Sequence, residues 1–242
     1  SDSETASRVS AELDGRLEGV RARLRAAAER SNRDPGTVSI LPVTKGFPAS
    51  VVRLVAAAGL GAVGENRVGE AEAKQAELGE SVDGLRWHMI GHLQRNKAAR
   101  AVELFDRIDS VDSLRLARRL QKSAERADRE DLEVLVQVNA SGEASKGGFP
   151  VADAVGPVRE ICGLARLRVL GLMTMAPLGA GEAELRRVFG RTRRCLEACR
   201  ERIAGFEGTE LSMGMSGDFE IAVEEGATQV RLGTALLGER PG

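Results

Sequence analysis

Residues 132–139 read LEVLVQVN, and Val134, Leu135 and Val136 follow one another with no polar residue between them. A strand with one wet face alternates apolar and polar side chains, whereas an unbroken apolar run suits a strand covered on both faces, as in a parallel sheet clothed by helices. Similar runs recur on either side. Upstream lie TVSILPVT (37–44), GAVGEN (61–66), LRWHMIG (85–91) and FDRIDSV (105–111); downstream lie LRVLGLMTM (167–175), TELSMG (209–214) and TQVRLGTAL (228–236). Helical patterns fill the intervals: from about Pro48, from about Val68, near 97–104, from about Ser113, after Pro150, along the face Leu185, Val188, Phe189, Leu196 and Ile203, and in DFEIAVEEG (218–226). Eight strands with a helix between each neighbouring pair predict an α/β chain folded as a single (β/α)8 TIM barrel over residues 1–242. A doubly wound open sheet is the rival, but it needs fewer strands, and its usual GxGxxG turn after the first strand is absent.

In front of the barrel, Leu13, Leu17, Val20 and Leu24 recur at steps of four and three residues, which predicts an extra amphipathic helix of about twenty residues. Asn32, Asp34-Pro35 and Gly36 stop it. Hydrophobic residues make up 42%, charged residues 29%, and the formal net charge is −1, so nothing points to disorder or to a nucleic-acid partner. The first thirty residues mix Glu and Arg without an apolar segment, and no later run reaches membrane-spanning length; no secretory signal and no membrane partner are expected, and the chain reads as cytoplasmic. Cys162, Cys195 and Cys199 make an odd count with no CxxC pair, which predicts reduced core thiols rather than a disulfide framework.

In such a barrel the chemistry gathers at the C-terminal strand ends. Those ends carry Lys45; Glu65 and Asn66; His88, Gly91 and His92; Asp109; Asn139; Met173 and Thr174; Ser212; and Arg231, Gly233 and Thr234. Lys45 closes the apolar run ILPVTK. An ammonium held against a barrel mouth loses hydration, which favours the neutral amine that attacks aldehydes and ketones; the alternative is a lysine that snorkels to solvent. Ser212 and the glycines of LSMGMSG follow the seventh strand and Gly233-Thr234 the eighth, where barrels characteristically bind phosphate, although plain tight turns would read alike. Arg231 shares an inward face with Gly233 by strand alternation. Its guanidinium needs an acceptor: a pyridine nitrogen, or a barrel carboxylate such as Glu65. A lysine imine, a phosphate cup and a residue at the ring nitrogen together suggest pyridoxal phosphate as cofactor.

His88 and His92 lie on a strand and loop with no Cys or paired acid nearby, so no metal site is expected. Glu70, Glu72 and Lys74 read as solvated helix charges. Glu65 reads either as a general base or as a bridge between strands, and Gln94, Asn96 and Lys97 open the following helix.

The segments PVTKGFP, GENRVGEAEAK, WHMIGHLQRNK, VLVQVNASGEASKGGF, LRVLGLMTMAP and LSMGMSGDFEIAVEEGATQVRLGTALLGER resemble, in order, the signatures of the pyridoxal-phosphate homeostasis proteins, the YggS-like or PROSC-like family. The resemblance covers residues 41–240. It implies a barrel similar to the N-terminal domain of bacterial alanine racemase, with Lys45 as the aldimine lysine and Ser212, Gly233 and Thr234 as phosphate ligands. It further implies that Arg231 faces the ring nitrogen and that Asn66, His88 and Met213 line the cofactor. The function it implies is buffering and delivery of pyridoxal phosphate, with effects on vitamin B6 balance, no catalytic residues and no established turnover. Two residues depart from the family pattern: His92 stands where Pro is frequent, and Gly46 where Thr is frequent.

Three functions compete: a non-catalytic carrier that passes its cofactor to apo PLP-dependent enzymes, an amino-acid racemase, and a cofactor-free aldolase using Lys45. The aldolase leaves Arg231 without a partner. In the racemases that the barrel resembles, the second base is a tyrosine from another domain, and this sequence has no tyrosine; its eighth strand lies close to the end of the sequence, so no such domain is expected. A barrel closes its own core, so a monomer is expected. Lys146 in ASKGGF, on the loop after the fifth strand, is a candidate for transient capture of the aldehyde or an ordinary solvated lysine.

Overall fold

The computed structural model describes residues 2–143 and 147–240, so the reading of Lys146 lies outside the described residues. Its strands are β1 (Ser39–Pro42), β2 (Ala62–Glu65), β3 (Arg86–Met89), β4 (Arg107–Val111), β5 (Leu132–Asn139), β6 (Phe149–Pro150), β7 (Leu167–Met173), β8 (Glu210–Ser212) and β9 (Gln229–Leu232). β6 only pairs with the end of β5; the other eight run parallel in the order β1-β9-β8-β7-β5-β4-β3-β2. The ends of this order meet where Val43 bridges Gly64 and Thr44 N donates to Gly64 O at 3.0 Å. The result is the expected (β/α)8 barrel.

Between consecutive barrel strands lie α2 (Ala49–Ala57), α3 (Val68–Leu78), α4 (Ala98–Leu104), α5 (Leu114–Arg126), α6 (Val155–Cys162), α7 (Glu182–Arg202) and α8 (Phe219–Glu224); α9 (Thr234–Leu237) is a single turn after β9. The N-terminal helix α1 spans Asp2–Arg30, longer than the expected twenty residues. No Pro or Gly interrupts residues 2–12, so nothing local stops the helix there. Asn32 ends it in the left-handed region at φ 52°. Leu13, Leu17, Val20 and Leu24 are buried, and polar contacts run from α1 to α8: Arg23 Nη2 to Glu220 Oε2 at 3.0 Å and Arg30 Nε to Glu224 Oε1 at 2.8 Å.

The main core lies between strands and helices, and Val134, Leu135 and Val136 are all fully buried in it or beside it, which is why their run carries no polar break. Cys195 and Cys199 are buried and all three cysteines are free. The lumen of the barrel is different. A small apolar plug of Leu41, Val43 and Ile90 occupies one side, and a Cβ on Gly64 would stand 2.9 Å from Ile90 Cδ1, so a glycine is needed there. Polar side chains cross the rest. Arg107 of β4 reaches Glu210 of β8 and Gln229 of β9, strands that are not its neighbours, so these bonds cross the lumen.

Candidate functional site

Arg107 and Asp109 stand two apart on β4 and therefore face the same side of the sheet. Arg107 donates to Asp109 through Nε at 2.6 Å and Nη2 at 3.1 Å, to Glu210 Oε2 at 2.6 Å and to Gln229 Oε1 at 3.0 Å. Burial works against the Arg107 charge, but Asp109 and Glu210 hold its pKa above the ordinary value. Burial alone would raise the Asp109 carboxyl, yet Arg107 and His88 hold it well below the usual range. The network then climbs: Ser212 Oγ donates to Gln229 Oε1 at 3.1 Å and accepts from Arg231 Nη1 at 2.9 Å, while Arg231 Nη2 donates to Thr174 O at 2.8 Å. Arg231 thus has neutral oxygens as partners rather than a carboxylate. The Glu65 pairing considered from sequence does not occur. Burial pushes the Arg231 pKa down to about 10, against the pull of Asp109 and Asp218, and it remains a cation at neutral pH.

Above this network opens a cavity of about 920 Å³, lined by Lys45, Asn66, Arg231, Gly233, Thr234 and Ser216 among others. Lys45 lies in the turn after β1. Glu70 of α3 accepts from Gly46 N at 2.5 Å and from Lys74 Nζ at 2.9 Å, and Lys74 also bonds Glu65 Oε1 at 2.5 Å and Thr44 O at 2.7 Å. Lys74 is therefore buried at 6% exposure, a correction to the expectation of solvated charges on this helix. Glu65, fully buried at the end of β2, requires a countercharge, and Lys74 sits one helical stretch away on the facing side of α3. Even so, burial leaves the Glu65 pKa raised against the hydrogen bonds from Lys74 and Thr44. Glu72, by contrast, is half-buried and paired with Arg100.

The effect of this cluster is to fix the turn while leaving the Lys45 amine uncommitted. Among the described residues, Lys45 Nζ has no hydrogen-bond or ion-pair partner. Its pKa is lowered, first by burial and then by the nearby Arg240, with Glu70 opposing. A lowered lysine pKa enlarges the neutral, nucleophilic fraction at any given pH.

Two turns follow β9, the strand paired with β1, and β8 beside it. Gly214, at φ 99°, lets the chain leave β8 sharply toward Ser216 and Gly217. Ser216 Oγ accepts the Ala235 N–H at 3.1 Å, which ties this turn to the one after β9, and Asp218 Oδ1 holds Met215 N at 2.6 Å. Among the described residues, the N–H groups of Ser216, Gly217 and Gly233 have no acceptor. Free N–H groups in the lining of a cavity that also holds a buried guanidinium suit an anion.

Of the residues singled out from sequence, Lys45, Asn66, Arg231, Gly233 and Thr234 border the cavity, while His88, Ser212 and Met213 lie buried outside its lining. Ser212 supports Arg231 from below. Both His88 ring nitrogens are buried without a hydrogen-bond partner, Nδ1 standing 3.7 Å from Asp109 Oδ2. Asn66 is held by Gly91, where a Cβ would stand 2.4 Å from Asn66 O. Asn139 folds its own turn through Ser141 and Gly142, and Thr174 Oγ1 donates to Val138 O at 2.9 Å. Sequence reasoning missed Ser216, Glu70 and Arg240. Ser216 alone carried a signal, as the second serine of LSMGMSG. Among the described residues, no group of His, Cys, Asp and Glu could hold a metal ion, and no helix is long and apolar enough to cross a membrane.

Residues 16–241 match the model of the alanine racemase N-terminal domain. A pyridoxal phosphate homeostasis protein of Pseudomonas aeruginosa is 44% identical over 221 residues, covering 91% of this chain and 93% of that protein. PipY of Synechococcus elongatus PCC7942, 39% identical over 93% of this chain and all of that one, superimposes with a TM-score of 0.84 without PLP and 0.82 with PLP bound. An alanine racemase of Clostridium difficile, at 17% identity and a TM-score of 0.74 over 96% of this chain and 57% of its own, shares the fold.

Proposed function

The chain belongs to the family of pyridoxal phosphate homeostasis proteins, and from that premise we propose that it binds pyridoxal phosphate in the cavity through a Lys45 imine, buffering the cofactor and delivering it to apo PLP-dependent enzymes. The observation that carries this reading is Lys45 itself, an uncommitted amine of lowered pKa in one cavity with a buried cation and free N–H groups. Each fits one part of the cofactor. Lys45 would hold the aldehyde end, since a neutral amine condenses with an aldehyde with loss of one water. The turns at Ser216–Gly217 and Gly233–Thr234 take the phosphate. Arg231 would take the ring nitrogen and, as a permanent cation, would keep a second proton off it. Asn66 would border the ring, with His88, Ser212 and Met213 behind the cavity wall.

An unprotonated pyridine is a poor electron sink for a carbanion, and the sequence offers no tyrosine as an opposing base. Both features favour cargo over turnover and weigh against the amino-acid racemase. The relatives bear the name of homeostasis proteins rather than of enzymes. A monomeric single domain spanning residues 1–242 and working in the cytoplasm belongs to the same proposal.

Borohydride reduction of the loaded protein followed by peptide mass mapping tests the assignment. The phosphopyridoxyl group is expected on Lys45, and a different lysine as the dominant site would sink it. The pH dependence follows from the direction of the shift. Capture needs the neutral amine, so the rate of imine formation, followed by absorbance, should reach its plateau at a lower pH than for a free lysine side chain. A profile coinciding with that of free lysine would contradict the desolvated amine.

A further inference from the structure

α5 begins at Leu114, with Ser113 Oγ accepting the Leu116 N–H at 3.2 Å. Its first nine residues present Arg115, Arg118, Arg119 and Lys122, spacings of three, four and seven that put all of them on one face. With Arg95 and Asn96 from the short turn ahead of α4, they line a surface concavity of about 470 Å³ whose walls hold five cations and no carboxylate. Among the described residues, Arg118 is paired with Glu160 at 3.1 Å, and Arg95, Arg115, Arg119 and Lys122 have no ion pair.

Such a face opposes its own helix. Like charges three and four residues apart repel, and Arg115 adds a cation at the helix end that already favours anions. The sequence carries 36 acidic residues against 35 basic ones, yet none of the acids lines this concavity. The location is also informative. His92 and Asp112 border the large cavity, and Arg95 and Arg115 each follow one of them by three residues. The basic concavity is therefore a shelf on the face of the barrel at which the strands end and the large cavity opens.

We propose that this shelf binds a small compound through a di- or triphosphate group. Guanidinium forks match phosphate oxygens two at a time, which suits anions denser in charge than a carboxylate. From Arg115 to Lys122 the helix rises about 10 Å, a length for two or three phosphates. A nucleic acid asks for a longer basic track, and the net charge of −1 supplies none. This inference uses none of the residues assigned to the cofactor, so either can fail alone.

Amide chemical-shift titrations of the full chain with inorganic pyrophosphate, ADP and inorganic phosphate at physiological salt test it. Pyrophosphate or ADP should shift residues 95–97 and 113–122 saturably and bind at least about tenfold more tightly than phosphate. A gain of ADP over pyrophosphate assigns the shelf to a nucleotide, and equal affinity assigns it to the bare diphosphate. Arg115→Glu with Arg119→Glu should weaken binding by about tenfold or more while relieving repulsion, so that the melting temperature holds or rises. Arg95→Ala with Lys122→Ala should weaken it in the same direction, and borohydride labelling of Lys45 should be unaffected in both. Absence of saturable binding, shifts confined to Lys45, Ser216 and Gly233, or unchanged affinity in both double variants overturns the proposal.

Discussion

Lys45→Ala is expected to yield a folded protein that carries no cofactor-derived visible absorbance after dialysis and no label after borohydride treatment. The turns proposed to take the phosphate, and Arg231, remain, so the variant should still bind the cofactor reversibly, and that residual binding should vanish on dialysis. Stability separates this outcome from misfolding. The Lys45 ammonium is half-buried, has no partner among the described residues and is repelled by Arg240, so its removal should change unfolding free energy by no more than about 0.5 kcal/mol. Urea denaturation measures that change. A Lys45→Ala protein that unfolds several kcal/mol more easily would recast the lysine as structural.

Arg107→Leu should have the largest effect on stability. It leaves Asp109, which is fully buried, and Glu210 without their shared countercharge, and breaking a buried ion pair from one side costs about 3–5 kcal/mol. For a chain of this size that is a fall of roughly 10 °C in melting temperature. The pH dependence has a definite sign. The folded Asp109 pKa is depressed, so its contribution is present above the ordinary aspartate pKa and is lost as pH falls through the depressed folded value. In Arg107→Leu the carboxyl is free to protonate in acid, so the gap to the wild type should narrow as pH falls from neutral toward 4. Arg107→Leu combined with Asp109→Leu should recover part of the loss, because no buried charge is then left alone on β4. Equal losses in the single and double variants would contradict the pairing.

How much of this was legible in the sequence depends on the range of the interaction concerned. The barrel was readable because each strand announces itself locally: Val134-Leu135-Val136 is apolar on both faces whatever lies beyond it. Lys45, Gly233 and Thr234 were readable because a parallel barrel puts strand ends at one mouth. Lys74 was not. Its spacing from Glu70 marks a helix surface, and only the packing of α3 against the end of β2 turns that surface inward to Glu65. Arg107 left a fainter trace, as a polar residue two before Asp109 and so on the same face of the strand in FDRIDSV, but its partners on β8 and β9 lie more than 100 residues away. Ser212 and Ser216 show the same limit at short range. Both follow from LSMGMSG, and the positive φ of Gly214 sends Ser216 to the cavity and leaves Ser212 beneath it.

The central claim is that pyridoxal phosphate is cargo for this chain. It is tested most directly by mixing the loaded protein with L-alanine and an excess of an apo PLP-dependent enzyme, following the acceptor's activity and the handedness of the alanine in one vessel. The account predicts that the acceptor gains activity in proportion to the cofactor lost from Lys45, with alanine unchanged above background. Retention of the cofactor together with sustained racemisation of alanine that disappears in Lys45→Ala would contradict it.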